Sequence, residues 1–204
     1  MKPVCLVIGA GAGIGGTVAR RFAQEGYHAC LCRRTDQDGL ERMVAEIEAE
    51  GGSASGYLLN AVDDDAIEER VAAIESDVGG IDVAVYNLGA QIGDRTLQET
   101  SYKAFEMGWR MGTFGLFRLA SALSPHMEAR GQGTVLVTSA TAAMRGNAGQ
   151  HSHAAAMGGR RMLCQTLNAE LSSKGIHVAH IIIDGAVDAP DTLGKMLGPE
   201  RIQQ

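Results

Sequence analysis

The stretch that decides the fold is Val4-Cys5-Leu6-Val7-Ile8-Gly9-Ala10-Gly11-Ala12-Gly13-Ile14-Gly15-Gly16. Its first five residues are a continuous apolar run, the pattern of a parallel strand buried on both faces. Five glycines follow within eight positions, and residues 14–24 then read as a helix closed by Gly26. Glycine at such a strand–helix turn lets the backbone approach a pyrophosphate. The helix N-terminus adds unpaired N–H groups and the positive end of its dipole. The run fits two spacings, Gly11-x-Gly13-x-x-Gly16 and Gly9-x-x-x-Gly13-x-Gly15. The first is the general dinucleotide fingerprint. A tight turn without a ligand is the simpler alternative.

Outward from this loop, short β-like runs alternate with helical ones. Strands are expected over 28–32, 55–59, Val83 and its neighbours in 81–86, 134–138 and 176–183. Helices are expected over 38–50, where Leu40, Val44 and Ile47 recur at helical spacing, over 101–129 despite Gly108, Gly112 and Gly115, and over 151–173. Asp65-x-x-Glu68 reads as a capping box opening a further helix through Ser76. Strict alternation requires parallel strands with right-handed crossovers. The fold class is therefore α/β: a single doubly wound, Rossmann-type domain with about six strands in the order 3-2-1-4-5-6. Ligand is expected at the carboxyl edge near strands 1 and 4.

Composition agrees with one globular domain. The chain has 204 residues, 45% hydrophobic and 21% charged, enough to bury a core and too apolar for wholesale disorder. We place the dinucleotide-binding domain at 1–187 and a short tail or partial lid at 188–204, with Leu193, Met196 and Leu197 as its apolar residues. A net charge of −6 argues against non-specific nucleic-acid binding. Glycine is frequent (27) while proline is scarce (4), which suggests tight turns and close backbone approach rather than linkers. Cys5, Cys30, Cys32 and Cys164 form no C-x-x-C pair and read as buried reduced thiols. No stretch approaches the ~20 apolar residues that span a bilayer, so a cytoplasmic protein without membrane contact is expected. No metal is expected: His151 and His153 diverge on a helix, and His177 and His180 point to opposite faces of a strand.

Several marks, in order, resemble the short-chain dehydrogenase/reductase family over nearly the whole length. They are the Gly9/Gly13/Gly15 spacing, Asn60-Ala61 after strand 3, Tyr86-Asn87-Leu88-Gly89 after strand 4, Gly131-x-Gly133 before strand 5, and Asp184-Gly185-x-Val187 after strand 6. The resemblance implies an oxidoreductase that binds a nicotinamide dinucleotide. Gly9, Gly13, Ile14 and Gly15 would cradle its phosphates and Asn60 and Ala61 its adenine. Asn87, Gly89 and Val187 would lie at the nicotinamide end. Asn60 stands where the family usually has Asp; an amide carbonyl can accept the same bond. Arg33 and Arg34 stand where the family reads the cofactor. Two guanidiniums there favour NADP(H), because Arg pairs with phosphate in a fork geometry. NAD(H), with the arginines simply solvated, is the alternative. In the family the two long helices form the dimer interface, so a homodimer or homotetramer is implied, with a small-molecule substrate.

The family's catalytic Asn, Ser, Tyr and Lys do not carry over. Aligned from Gly133, Gly115 and Phe117, their positions read Gly112, Ala140, His153 and Met157. The family Tyr moves the proton, and its Lys tunes the Tyr and grips the nicotinamide ribose; Met157 can do neither. Ala140 offers no donor to a carbonyl. A positioned acid or base contributes roughly 10²–10⁴-fold, so classical carbonyl reduction is expected to be weak or absent. His153 can shuttle a proton near neutrality and is the candidate catalytic residue; Ser139, Thr141, His151 and Ser152 are its flanking candidates. The alternatives are a catalytically inactive nucleotide-binding sensor or partner subunit, and a scaffold without ligand.

Overall fold

The computed structural model describes residues 2–89, 95–185 and 187. Its six parallel strands are β1 (Val4–Ile8), β2 (His28–Arg33), β3 (Ser53–Leu58), β4 (Ile81–Tyr86), β5 (Gly133–Ala140) and β6 (Ile176–Ile183). They form one sheet in the order β3-β2-β1-β4-β5-β6, as the alternating pattern predicts. The helices are α1 (Ile14–Gln24), α2 (Gln37–Ala49), α3 (Ala66–Asp77), α4 (Tyr102–Trp109), α5 (Gly115–Arg130) and α6 (His151–Leu171).

Side chains alternate across a strand, and on β1 both faces find a core. Val4, Leu6 and Ile8 pack with Ile67 and Val71 of α3, Leu116 and Leu119 of α5, and Cys164 of α6. Cys5 and Val7 pack on the other face with Ala19 of α1 and Leu40 and Ile47 of α2. This two-sided burial is why the opening run has no polar residue. Cys30 and Cys32 share the first of these layers, and all four cysteines are free and buried. Burial pushes the thiol of Cys30 up to about 11 and that of Cys32 up to about 12, so neither is a thiolate at neutral pH. Among the described residues no helix is long and apolar enough to cross a membrane.

Three expectations are corrected. The helix expected over 101–129 does run unbroken from Tyr102 to Arg130, but it is not α-helical throughout: a five-residue π-turn (Arg110–Phe114) lies between α4 and α5. The Tyr86 hydroxyl donates to the Met111 carbonyl at 2.5 Å, and a Cβ at Gly115 would sit 2.2 Å from that hydroxyl. The capping box at Asp65 does not form, since Asp65 lies in the left-handed region and makes no side-chain cap bond. The Glu68 carboxylate instead receives two hydrogen bonds from Arg118. Finally, β5 runs to Ala140, two residues beyond the expected end, which carries Ser139 and Ala140 to the sheet's carboxyl edge. Among the described residues β6 is one edge of the sheet, with Ile181 and Ile182 exposed. The tail, with Leu193, Met196 and Leu197, lies outside the described residues.

Candidate functional site

The carboxyl ends of β1, β2, β4 and β5 open into a cavity of about 560 Å³. It lies where the strand order reverses between β1 and β4, the place where doubly wound sheets bind ligands. Gly9, Gly13, Ile14 and Gly15 line it, as do Arg33, Arg34, Asn87, Gly89, Ala140, His153, Met157 and Val187. Asn60 and Ala61 do not line it. The Asn60 amide donates to Asp63 at 2.7 Å, and Ala61 is buried with its carbonyl facing Arg118.

The glycine loop is held from three sides. Gly9 adopts φ +93°, a conformation that side chains rarely tolerate. The amides of Gly9 and Ala10 both donate to the Cys32 carbonyl at 3.0 Å, which ties the loop to β2. A Cβ on Gly15 would stand 2.1 Å from the Gly9 carbonyl oxygen, whereas one on Gly11 would meet nothing within 4 Å. Asn87 links this loop to β5: its amide donates to the Gly9 carbonyl at 3.0 Å, and its side-chain oxygen accepts from Thr138 Oγ1 at 2.8 Å.

At the end of β2, Arg33 pairs with Asp36 at 3.0 Å. Asp36 also caps α2 by accepting from the Gly39 amide. Arg33 therefore sits at the rim with a carboxylate beside it, a partner three residues away whose contact the sequence reading did not assign. Arg34 is exposed at the same rim.

The opposite end of the cavity gathers Ser139, Ala140, His153, Met157 and Arg160. Ala140 brings no donor. The Ser139 hydroxyl contacts the Met157 sulfur at 3.6 Å. Ser152 faces away: its hydroxyl donates to the carbonyls of Ala104 and Phe105 and locks α6 to α4. His151 lines a separate small cleft with Arg95 and Thr100. His153 is half-buried, and its Nδ1 is buried without a hydrogen-bond partner. Burial, and then the Arg160 charge, hold its imidazole below the usual histidine range, so it is neutral at pH 7. Among the described residues no group of three His, Cys, Asp or Glu could hold a metal ion.

Sequence reasoning missed Arg160 and Thr138. Arg160 is only 1% exposed. It donates from Nε to the Gly112 carbonyl at 2.6 Å, from Nη1 to Thr138 at 2.6 Å and from Nη2 to Leu88 at 2.7 Å. Its guanidinium also lies 5.2 Å from the Tyr86 ring centroid. Burial pulls its pKa down to about 10, which leaves it charged at neutral pH. One signal was available: Ala156, Arg160 and Cys164 recur every four residues, and a charge within such an inward stripe has a partner inside the fold.

Comparison with known proteins agrees with this geometry. A family model described as short chain dehydrogenase matches residues 3–194. The chain is 36% identical over 202 residues to the short-chain reductase protein NovJ of Streptomyces niveus, covering 98% of this chain and 76% of that protein. A short-chain dehydrogenase from Rhodopseudomonas palustris superimposes with a TM-score of 0.81 at 34% identity, covering 88% of this chain and 83% of that one. An NAD+-bound xylitol dehydrogenase superimposes with a TM-score of 0.84 at 26% identity, covering 89% and 70% respectively. With a family match along nearly its whole length and the loop, sheet order and cavity to go with it, the chain belongs to the short-chain dehydrogenase family.

Proposed function

We propose that the protein binds NADP(H), with NAD(H) as a weaker ligand, and that its classical carbonyl-reductase activity is feeble or absent. The cavity fits a dinucleotide. It runs from the guanidiniums of Arg33 and Arg34, past a loop whose Gly11 leaves open space, to the imidazole of His153. Its volume lies within the usual range for ligand pockets. Gly9, Gly13, Ile14 and Gly15 would hold the pyrophosphate, and Asn87, Gly89 and Val187 the nicotinamide end; Asn60 and Ala61, expected at the adenine, stand outside the cavity and have no part in this placement. Arg34 would meet the 2′-phosphate, with Arg33 steadied beside it by Asp36. The bound group supplies hydride chemistry. The NAD+-bound relative supports this reading of the fold.

The observation that carries the catalytic half is the set of side chains at the deep end. Gly112, Ala140 and Met157 bring no hydroxyl, phenol or ammonium, the Ser139 hydroxyl is directed at the Met157 sulfur, and His153 is a neutral imidazole. It can accept a proton at Nδ1 or Nε2 but is poorly poised to deliver one at pH 7. Self-association fits the exterior: Tyr102, Phe105, Trp109, Phe114 and Phe117 are exposed along α4, the π-turn and α5. Ala155 is exposed on α6. These faces suit a homodimer or homotetramer built on the long helices, with a small-molecule substrate in the cavity.

Titration of NADPH and NADH, followed by a panel of ketones and alcohols, tests the proposal. Saturation at about 100 Kd stabilises by about 2.7 kcal/mol, a rise of roughly 5–10 °C in Tm for a chain of this size. No heat and no thermal shift at millimolar NADPH would sink the binding half. Rapid reduction of any ketone, lost in His153→Ala with NADPH binding intact, would overturn the catalytic half.

A further inference from the structure

Met157 and Arg160 lie three residues apart on α6, on one face of the helix. Both line the deep end of the cavity and both are buried. Met157 brings a thioether to that end. Arg160 brings a full positive charge, held by carbonyls from three separate segments: Leu88 after β4, Thr138 in β5 and Gly112 in the π-turn. Among the described residues it has no carboxylate within ion-pair distance, in contrast to Arg118 with Glu68 or Arg130 with Glu75. A buried cation is tolerated only where fixed acceptors or an opposite charge compensate it. Here the acceptors are the backbone oxygens that shape the cavity floor. The same charge is felt by His153, four residues before Met157.

We propose that Arg160 supplies the one cation this site can hold, from one turn further along α6 than Met157, and that it is the positioning residue for the nicotinamide end of the bound dinucleotide. The inference rests on the dinucleotide reading above. The guanidinium fixes the carbonyls of Leu88 and Thr138, and so sets the spacing between the β4 and β5 edges against which that end of the ligand packs. It also places positive charge beneath a cavity whose side chains there are otherwise neutral. A second cation at position 157 would share the same dry space and be repelled. The charge can therefore occupy 157 or 160, but not both.

A double-substitution cycle tests this, read by Tm of the protein alone and by NADPH titration. Arg160→Met strands three carbonyls and removes the charge; Tm should fall on the order of 10 °C and NADPH should bind at least ~10-fold more weakly. Arg160→Lys keeps the charge and should retain most of the affinity. Met157→Lys alone should lower Tm, because two cations meet. The pair Met157→Lys with Arg160→Met should recover most of what each change loses, in Tm and in affinity. A merely structural arginine predicts additive losses instead. Additivity, or a neutral Met157→Lys, would overturn the proposal. If Arg160→Met does not fold, the double variant decides: folded supports the single-cation site, unfolded refutes it. If the unmutated protein binds no NADPH, the dinucleotide reading fails, and the melting cycle alone still decides where the cation can sit.

Discussion

Replacing Gly15 by alanine should injure both the fold and the ligand loop, by an amount the geometry sets. The new Cβ would lie 2.1 Å from the Gly9 carbonyl oxygen and 2.8 Å from Asn87 Nδ2. Neither neighbour has room to retreat. The Gly9 peptide is tied to β2 through the Cys32 carbonyl, and Asn87 is held by Thr138. Overpacking of this kind costs about 1–3 kcal/mol. Losing the bond from Asn87 to Gly9 adds about 1 kcal/mol. The sum, about 2–4 kcal/mol, corresponds to a Tm lower by roughly 4–16 °C. Gly11→Ala is the internal control. Its Cβ meets nothing, so Tm should stay within about 2 °C, as for an ordinary surface change. NADPH affinity should nevertheless fall, because the methyl occupies the space proposed for phosphate. Differential scanning calorimetry and NADPH titration on both variants separate the effects. A Gly15→Ala protein with an unchanged Tm would refute the packing argument. A Gly11→Ala protein with unchanged affinity would refute the placement of the phosphate.

Arg34→Ala should erase most of the preference for NADPH over NADH while leaving NADH affinity almost unchanged; equal affinities in the unmutated protein would contradict the role given to the arginines. Ala155→Arg should convert the proposed oligomer to monomer in sedimentation velocity, because it would bury an unpaired charge at the proposed interface; a monomeric unmutated protein at micromolar concentration would dispose of that interface. The hydrogen bonds from Arg118 hold the Glu68 carboxyl below the usual carboxylate range. A carboxylate depressed in the folded state stabilises above its unfolded pKa, and the contribution is lost as pH falls through the folded value. Glu68→Gln should therefore lower Tm at pH 7, by about 2–4 °C once solvent screening of a side chain 39% exposed is allowed for. The deficit should vanish in strong acid; one that persists unchanged below pH 3 would show that charge is not its cause.

The sheet order was legible because each strand of the doubly wound pattern carries a local mark: an apolar run, then a turn, then a helix with its own period. The glycine loop was legible for the same reason. What stayed hidden depends on partners distant in sequence. Arg160 carries no local mark of its partners; only the crossing of α6 over β5 and the π-turn brings it to Leu88, Thr138 and Gly112. Glu68 has the spacing of a capping residue, yet Arg118, fifty residues on, captures it. The long helix widens into its π-turn where Tyr86 reaches it from β4. Arg33 and Asp36 are close in sequence, but their pairing depends on the left-handed turn at Asp36.

The π-turn between α4 and α5 bears on the order in which the molecule becomes rigid. Its Met111 carbonyl is bound by Tyr86 of β4, its Gly112 carbonyl by Arg160 of α6, and its Thr113 hydroxyl donates to the Ala156 carbonyl. Two of these three anchors belong to α6, which comes later in the chain than both helices it joins. A continuous helix can protect its amides as soon as its own turns form. This segment also bonds within its own helix, but its outward anchors are complete only once α6 has docked. In hydrogen exchange, the amides of residues 110–114 should become protected together with those of α6, and after those of α5. One wide turn would then make the docking of α6 a condition for closing the floor of the cavity.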